Sequence, residues 1–191
     1  MEKMSGSEKI VKLTAENYET LGCPCFLNPK HIGHLKKLEW LENRFVEGFT
    51  IKSLFIEGEK KPIGFIEYVS GEFAWRAVDA LGYLFIHCIW VSPNKYKKKG
   101  FGSYLIADCI EDAKKQGKLG VAVIVSGGPF IANKDLFLKN GFVIAETDDN
   151  YELLAKQFNN DSILPKFRNW RKQLSQYKGL NIVYSKQCPW V

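Results

Sequence analysis

Three consecutive stretches between Gly82 and Val125 constrain the fold more than anything else in the chain. Residues 82–91 form a long run rich in aromatic and β-branched side chains, the composition of a strand. Residues 100–116 follow with Phe101, Leu105, Cys109 and Ala113 in one helical row, Lys114 and Lys115 in the last turn and Gly117 as the stop. Residues 121–125 are uninterruptedly apolar, as in a strand buried on both faces. Strand, helix and strand in that order imply a right-handed parallel crossover. On either side, strand runs at 49–57 and 62–69 are separated by a charged turn, and runs at 142–147 and 151–156 by another, so antiparallel pairing is expected there. The predicted fold class is α/β (α+β), a mixed, mostly antiparallel central sheet with a parallel strand–helix–strand crossover.

The remaining elements fit around this centre. Residues 9–13 read as a short strand and 14–20 as a helical turn that Thr14 can cap. In residues 29–47, Ile32, Leu35, Leu38, Leu41 and Phe45 recur every three or four positions, predicting an amphipathic helix ended by Gly48. A short helix is expected at 133–139, closed by Gly141. With no internal repeat and no compositional break before about residue 160, residues 1–161 are expected to form one domain. Residues 162–191 are expected to form a basic C-terminal extension with one helix and one strand. Lys166, Arg168, Arg171, Lys172, Lys178 and Lys186 give that extension +6 with no acidic residue, so the net charge of +6 belongs to it and residues 1–161 sum to zero. Pro165, with Phe167, Trp170 and Leu174 at helical spacing, predicts a helix there, and residues 180–184 a lone strand that docks on the body or on a neighbouring chain.

A nucleic-acid binder would carry its basic stripe across the folded body, and a solvated basic tail argues against one. The longest apolar runs fall far short of the ~20 residues of a membrane helix, and residues 1–12 lack the apolar core of a secretory signal. No membrane partner is expected, the location is expected to be cytoplasmic, and the five cysteines are read as reduced thiols.

The most specific chemistry lies where the long strand meets its crossover helix: Trp90, Val91, Ser92, Pro93, then Lys97, Lys98, Lys99, Gly100, Phe101, Gly102 and Ser103. A helix N-terminus exposes unpaired N–H groups and the positive end of the macrodipole, so it holds anions. Two glycines remove Cβ atoms from that approach, and Lys95 with Lys97, Lys98 and Lys99 adds charge. A diphosphate is the ligand implied. Neither the P-loop nor the dinucleotide fingerprint is present, since the third glycine of the latter is replaced by Leu105.

These residues and the order of elements resemble the GNAT superfamily of N-acetyltransferases. Val91-Ser92-Pro93 and Lys97-Lys98-Lys99-Gly100-Phe101-Gly102 stand where that superfamily has its strand end and pyrophosphate loop, and Lys139-Asn140-Gly141-Phe142 is similar to the Gly-Phe closing its last helix. The tail from Gly179 to Trp190 resembles the YoaP-like acetyltransferases. The resemblance implies acetyl-CoA as cosubstrate, with pantetheine paired to backbone near Ile89, Trp90 and Val91, pyrophosphate on Lys97 to Ser103, and direct attack of an amine on the thioester. The implied partner is a small-molecule or peptide amine acceptor, and a homodimer stays open. The position of the Tyr that many members use as general acid falls at Phe137 and that of a pantetheine-binding Asn at Phe130, so no general acid is assigned.

For the proton that the attacking amine must lose, His87 is the catalytic candidate, on the same strand face as Phe85, with Glu67 on the preceding strand beside it. The competing reading makes His87 a satisfied core histidine. Phe73, Trp75, Tyr83, Phe85 and Trp90 read as core. Cys23, Cys25, His31 and His34 have zinc-capable side chains in an unusual spacing, and no metal is expected. Cys188 opens a thioredoxin-like pattern that lacks its second cysteine. The alternatives to an enzyme are a catalytically weak acyl-CoA-binding sensor or regulator, and a metal- or thiol-responsive module.

Overall fold

The computed structural model describes residues 8–21, 30–128 and 131–181. Strands β1 (Glu8–Leu13), β2 (Thr50–Ile56), β3 (Gly64–Ser70), β4 (Val78–Asp79), β5 (Tyr83–Val91), β6 (Gly120–Ser126), β7 (Val143–Asp148), β8 (Tyr151–Gln157) and β9 (Lys166–Phe167) alternate with helices α1 (Tyr18–Leu21), α2 (Ile32–Val46), α3 (Phe101–Lys115) and α4 (Lys134–Leu138). Seven strands form one sheet in the order β1-β2-β3-β5-β6-β8-β7, while β4 and β9 pair separately. Within the large sheet β5 and β6 run parallel and every other neighbouring pair is antiparallel, as the crossover and the hairpins dictate.

Alternation along the strands sends Ile66, Tyr68, Leu84 and Ile86 to one face, where α3 lies across β3, β5 and β6 and buries Leu105, Ile106 and Cys109 against them. Lys52 and Tyr68 fasten the helix. Lys52 Nζ lies 2.5 Å from Asp108 and 2.8 Å from Asp112, and the Tyr68 hydroxyl donates to Asp112 at 2.5 Å. On the other face, Leu13, Leu41, Phe49, Ile51 and Val69 form a cluster with Trp40 and Trp75. Further along that face, Val78, Ala80, Tyr83, Phe85, Ala122 and Leu153 form a third cluster.

Two expectations change. Helix α2 begins at Ile32 because His31 caps it, its Nδ1 accepting from the Gly33 N–H at 3.0 Å. Its buried face is carried by His34, Lys37 and Leu41, while Ile32 and Leu35 are 65% and 51% exposed, so the apolar stripe describes only the C-terminal half. In the extension, the expected helix from Pro165 is replaced by β9, paired with β4 through Val78 and Phe167, and by a 3₁₀ segment at Trp170–Gln176. Phe167 packs on the Phe85 cluster, and an extended backbone delivers it there. Leu180 is 93% exposed, and residues 182–191, with most of the expected strand and Cys188, lie outside the described residues.

Candidate active site

The site arises from a strand pair that stops pairing. β5 and β6 are in register from Tyr83 opposite Gly120 to Ile86 opposite Val123. Beyond Ile86 no pairing to β6 continues, although β5 remains bonded to β3 as far as Val91 opposite Gly64. Residues 87–91 therefore present an open backbone edge, containing Ile89, Trp90 and Val91, to the gap between the two strands. A pocket occupies the gap, lined by Arg76, His87, Cys88, Ile89, Ile124 and Ile131 among others. An open strand edge of this kind pairs with any extended ligand that carries amides.

A β-bulge sits in the same place. Glu67 is opposite Cys88 and Tyr68 opposite Ile86, which leaves His87 as an extra residue on β5. The bulge aims His87 away from α3. Its ring stacks on Trp75 at 3.4 Å with 4° between planes and meets the edge of Phe85 at 4.8 Å. Neither ring nitrogen has a hydrogen-bond partner among the described residues, and both are shielded from solvent. Burial, joined by the positive charge of Arg76, pushes the imidazole well below its usual range, so it is neutral at physiological pH. His87 shares the face of Phe85 as expected, and its nitrogens differ from those of a satisfied core histidine.

Glu67 lies on the same face but is not at hand for proton transfer. Its carboxylate receives Lys37 Nζ of α2 at 2.7 Å, with both side chains 1% exposed. Lys37 falls outside the apolar stripe of α2, so the sequence pattern does not mark it as this partner. A buried carboxylate nevertheless demands a cation, which was a usable signal.

The loop leading into α3 has the form of an anion cradle. Lys98 has φ 61° and Gly100 φ 87°, the second being the left-handed N-cap of α3. No side chain caps the helix. The Tyr104 N–H takes the Gly100 carbonyl as the first intrahelical bond, so the N–H groups of Phe101, Gly102 and Ser103 precede the ladder and point outward. A Cβ on Gly102 would stand 3.2 Å from Leu136 Cδ1 of α4, a tight contact that the leucine side chain would have to relieve by a few tenths of an ångström. The Ser103 hydroxyl accepts from Asn140 at 3.0 Å. Lys97 lies over the Trp90 ring at 5.0 Å and Lys99 over Tyr96 at 6.0 Å, whereas Lys95 is engaged by Glu59 at 2.7 Å. Cradle, open edge and His87 thus follow one another along the end of β5.

The other candidates are placed as follows. Phe137 is fully buried, its ring 5.3 Å from Phe142, in the core beneath α3. His31 is spent as a helix cap and His34 faces the sheet, its pKa lowered by burial and then by Lys37. Cys23, Cys25 and Phe130 lie outside the described residues. Among the described residues no three His, Cys, Asp or Glu side chains converge as metal ligands, and no helix is long and apolar enough to cross a membrane. Two contributors escaped the sequence reading: Arg76, from the loop before β4, and a second cavity of about 200 Å³ beside the first.

Comparison with known proteins agrees with this geometry. Residues 15–142 match the family model described as Acetyltransferase (GNAT) family. The N-acetyltransferase YoaP of Bacillus subtilis, itself uncharacterized, is 32% identical over 185 residues, covering 94% of this chain and 72% of that protein. The crystal structure of the PaiA N-acetyltransferase of Thermoplasma acidophilum in complex with coenzyme A is similar with a TM-score of 0.57 at 20% identity, over 80% of this chain and 99% of that one. The ribosomal-protein-S18-alanine N-acetyltransferase of Escherichia coli is similar with a TM-score of 0.53 at 16% identity, over 82% and 99%.

Proposed function

The chain belongs to the acetyltransferase (GNAT) family, and from that premise we propose that it transfers the acetyl group of acetyl-CoA to an amine by direct attack on the thioester. The observation that carries this reading is the loss of β5–β6 pairing after Ile86, which opens the edge of residues 87–91 next to the uncapped N-terminus of α3. Pyrophosphate fits the N–H groups of Phe101, Gly102 and Ser103, with Lys97, Lys98, Lys99 and Gly100 around it. Pantetheine amides fit the backbone of Ile89, Trp90 and Val91. A backbone N–H on that edge is suited to polarise the thioester carbonyl as charge builds on its oxygen.

In the reaction the ammonium of the acceptor gives up one proton, its nitrogen lone pair forms the new C–N bond, and the nitrogen then loses a second proton to become the neutral amide. The C–S bond breaks and CoA leaves as a thiolate that takes a proton from water, so one proton is released per turnover. His87, neutral in the resting protein and lining the gap, is suited to accept the proton of the incoming amine at a ring nitrogen. Glu67, expected beside it, instead holds Lys37 and through it the position of α2. Phe137 cannot serve as an acid, and no side chain is assigned to that role. The phenylalanines at positions 137 and 130 favour a second reading, an acyl-CoA sensor that binds without turnover, and release of CoA thiol with an amine panel separates the two.

Binding itself is tested by thermal melting. Acetyl-CoA at about 100 times its Kd adds about 2.7 kcal/mol to the folded state, raising Tm by about 5–10 °C for a chain of this size. Gly102→Asp, which puts a carboxylate in the cradle, is expected to abolish the rise. No rise in the wild-type protein defeats both the transferase and the sensor.

A further inference from the structure

Two cavities adjoin on the sheet face that bears His87. The first is the gap between β5 and β6. The second, of about 200 Å³, is walled by Tyr151, Phe167, Asp148, Asp149 and Arg171. Arg76 and Ile124 line both and form their common wall.

The charges in these walls are unequally used. Arg171 donates to Asp148 at 3.0 and 2.9 Å and to Asp149 at 2.7 Å, so one guanidinium occupies both carboxylates. Arg76 has no hydrogen bond or ion pair to its side chain among the described residues, although it is half-buried. A partly desolvated guanidinium offers five donors in a planar fork that suits a carboxylate, and leaving it unanswered is costly. Close by, both ring nitrogens of His87 also lack partners. An acceptor that brought only an ammonium group would place a second positive charge beside Arg76. One that brought a carboxylate as well would cancel it.

We infer that the acetyl acceptor carries its own carboxylate and belongs to the class of free α-amino acids, with the carboxylate on the Arg76 guanidinium, the amine toward His87 and the thioester, and the side chain in the cavity walled by Phe167 and Tyr151. In an α-amino acid the amine nitrogen and the carboxylate carbon share one carbon atom. That short span matches two unpartnered polar groups lining one pocket. The inference rests on the acetyl-transfer reading above and adds the class of acceptor to it.

The experiment measures release of CoA thiol from acetyl-CoA with each of the twenty α-amino acids and with the corresponding α-carboxamides, for the wild type, Arg76→Gln and Arg76→Lys. One or more acids are expected to exceed their amides by about 10- to 100-fold in kcat/KM, the range of a charge-assisted hydrogen bond. Arg76→Gln is expected to raise KM for the acid with a smaller change in kcat and to erase the preference over the amide, while Arg76→Lys restores part of it. The acetyl-CoA-induced rise in Tm should be the same in all three proteins. Equal use of acids and amides, a preference that survives Arg76→Gln, or no amino acid accepted by a protein whose Tm still rises with acetyl-CoA overturns the inference alone. Loss of the acetyl-CoA response in the wild type overturns the acetyl-transfer reading with it.

Discussion

Removing the charge of Glu67 separates a structural carboxylate from a catalytic one. Lys37 and Glu67 meet at 2.7 Å with 1% of either side chain exposed, so neither charge has water to fall back on when the other is deleted. Breaking such a pair from one side costs about 3–5 kcal/mol, whereas replacing both partners by apolar groups of similar volume is neutral or stabilising. For a chain of 191 residues each kcal/mol moves Tm by about 2–4 °C, so Lys37→Met or Glu67→Gln should lower Tm by about 6–20 °C. Gln should fall at the mild end, because its amide oxygen still accepts from Lys37. The double variant Lys37→Met/Glu67→Leu should recover most of the loss. Circular dichroism melts of the four proteins give the coupling directly, and thiol-release kinetics well below every transition give the activity. A structural Glu67 leaves kcat/KM within a few-fold once the double variant is folded, while a general base would cost about 100-fold or more in both Glu67 variants regardless of Tm. A Glu67→Gln protein melting within about 2 °C of wild type would refute the burial argument. So would a double variant as unstable as the singles.

His87→Ala should lower kcat/KM by about 100-fold or more and remove a pH limb lying below the ordinary histidine range, while Cys88→Ala does neither; an unchanged pH profile in folded His87→Ala returns the residue to the core. The Lys52–Asp112 clamp should set a stability window. Against burial, which raises it, the hydrogen bonds from Lys52 and Tyr68 hold Asp112 below 3.8, so its contribution is present above 3.8 and lost as pH falls through the lowered value. Against burial, which lowers it, Asp108 and Asp112 hold Lys52 above 10.5, so that part is present below 10.5 and lost as pH rises through the raised value; Tm against pH for Asp112→Asn should lose the acid limb, and a wild-type-like curve would discount the clamp. Deleting residues 162–191 removes the β4–β9 pairing, Phe167 and the Arg171 bonds, and should lower Tm and raise the acceptor KM while acetyl-CoA still stabilises the protein. Loss of that stabilisation in a truncated chain that still melts cooperatively would make the extension part of the acetyl-CoA site.

The elements legible in the sequence are those that a local signal bounds. Gly48, Gly117 and Gly141 adopt positive φ at the ends of helices that begin close to their expected positions, and the strand–helix–strand passage gave the parallel pair because few alternatives satisfy its handedness. What stayed hidden is what distant residues decide together. The bulge at His87 exists only in the register between β3 and β5, and nothing in Phe85-Ile86-His87-Cys88 marks an extra residue. The burial of Lys37 depends on Glu67 thirty positions away. The two-residue strands β4 and β9 are too short to show a period, and each is a strand only because the other is there. The cradle could be read from the chain because its donors are consecutive N–H groups; the acceptor side could not, because Arg76, His87, Asp148 and Arg171 come from four separate segments. In this chain, then, the backbone-built half of the site is encoded locally and the side-chain-built half by packing, which places acceptor choice in the parts that can vary without disturbing the acetyl-CoA cradle.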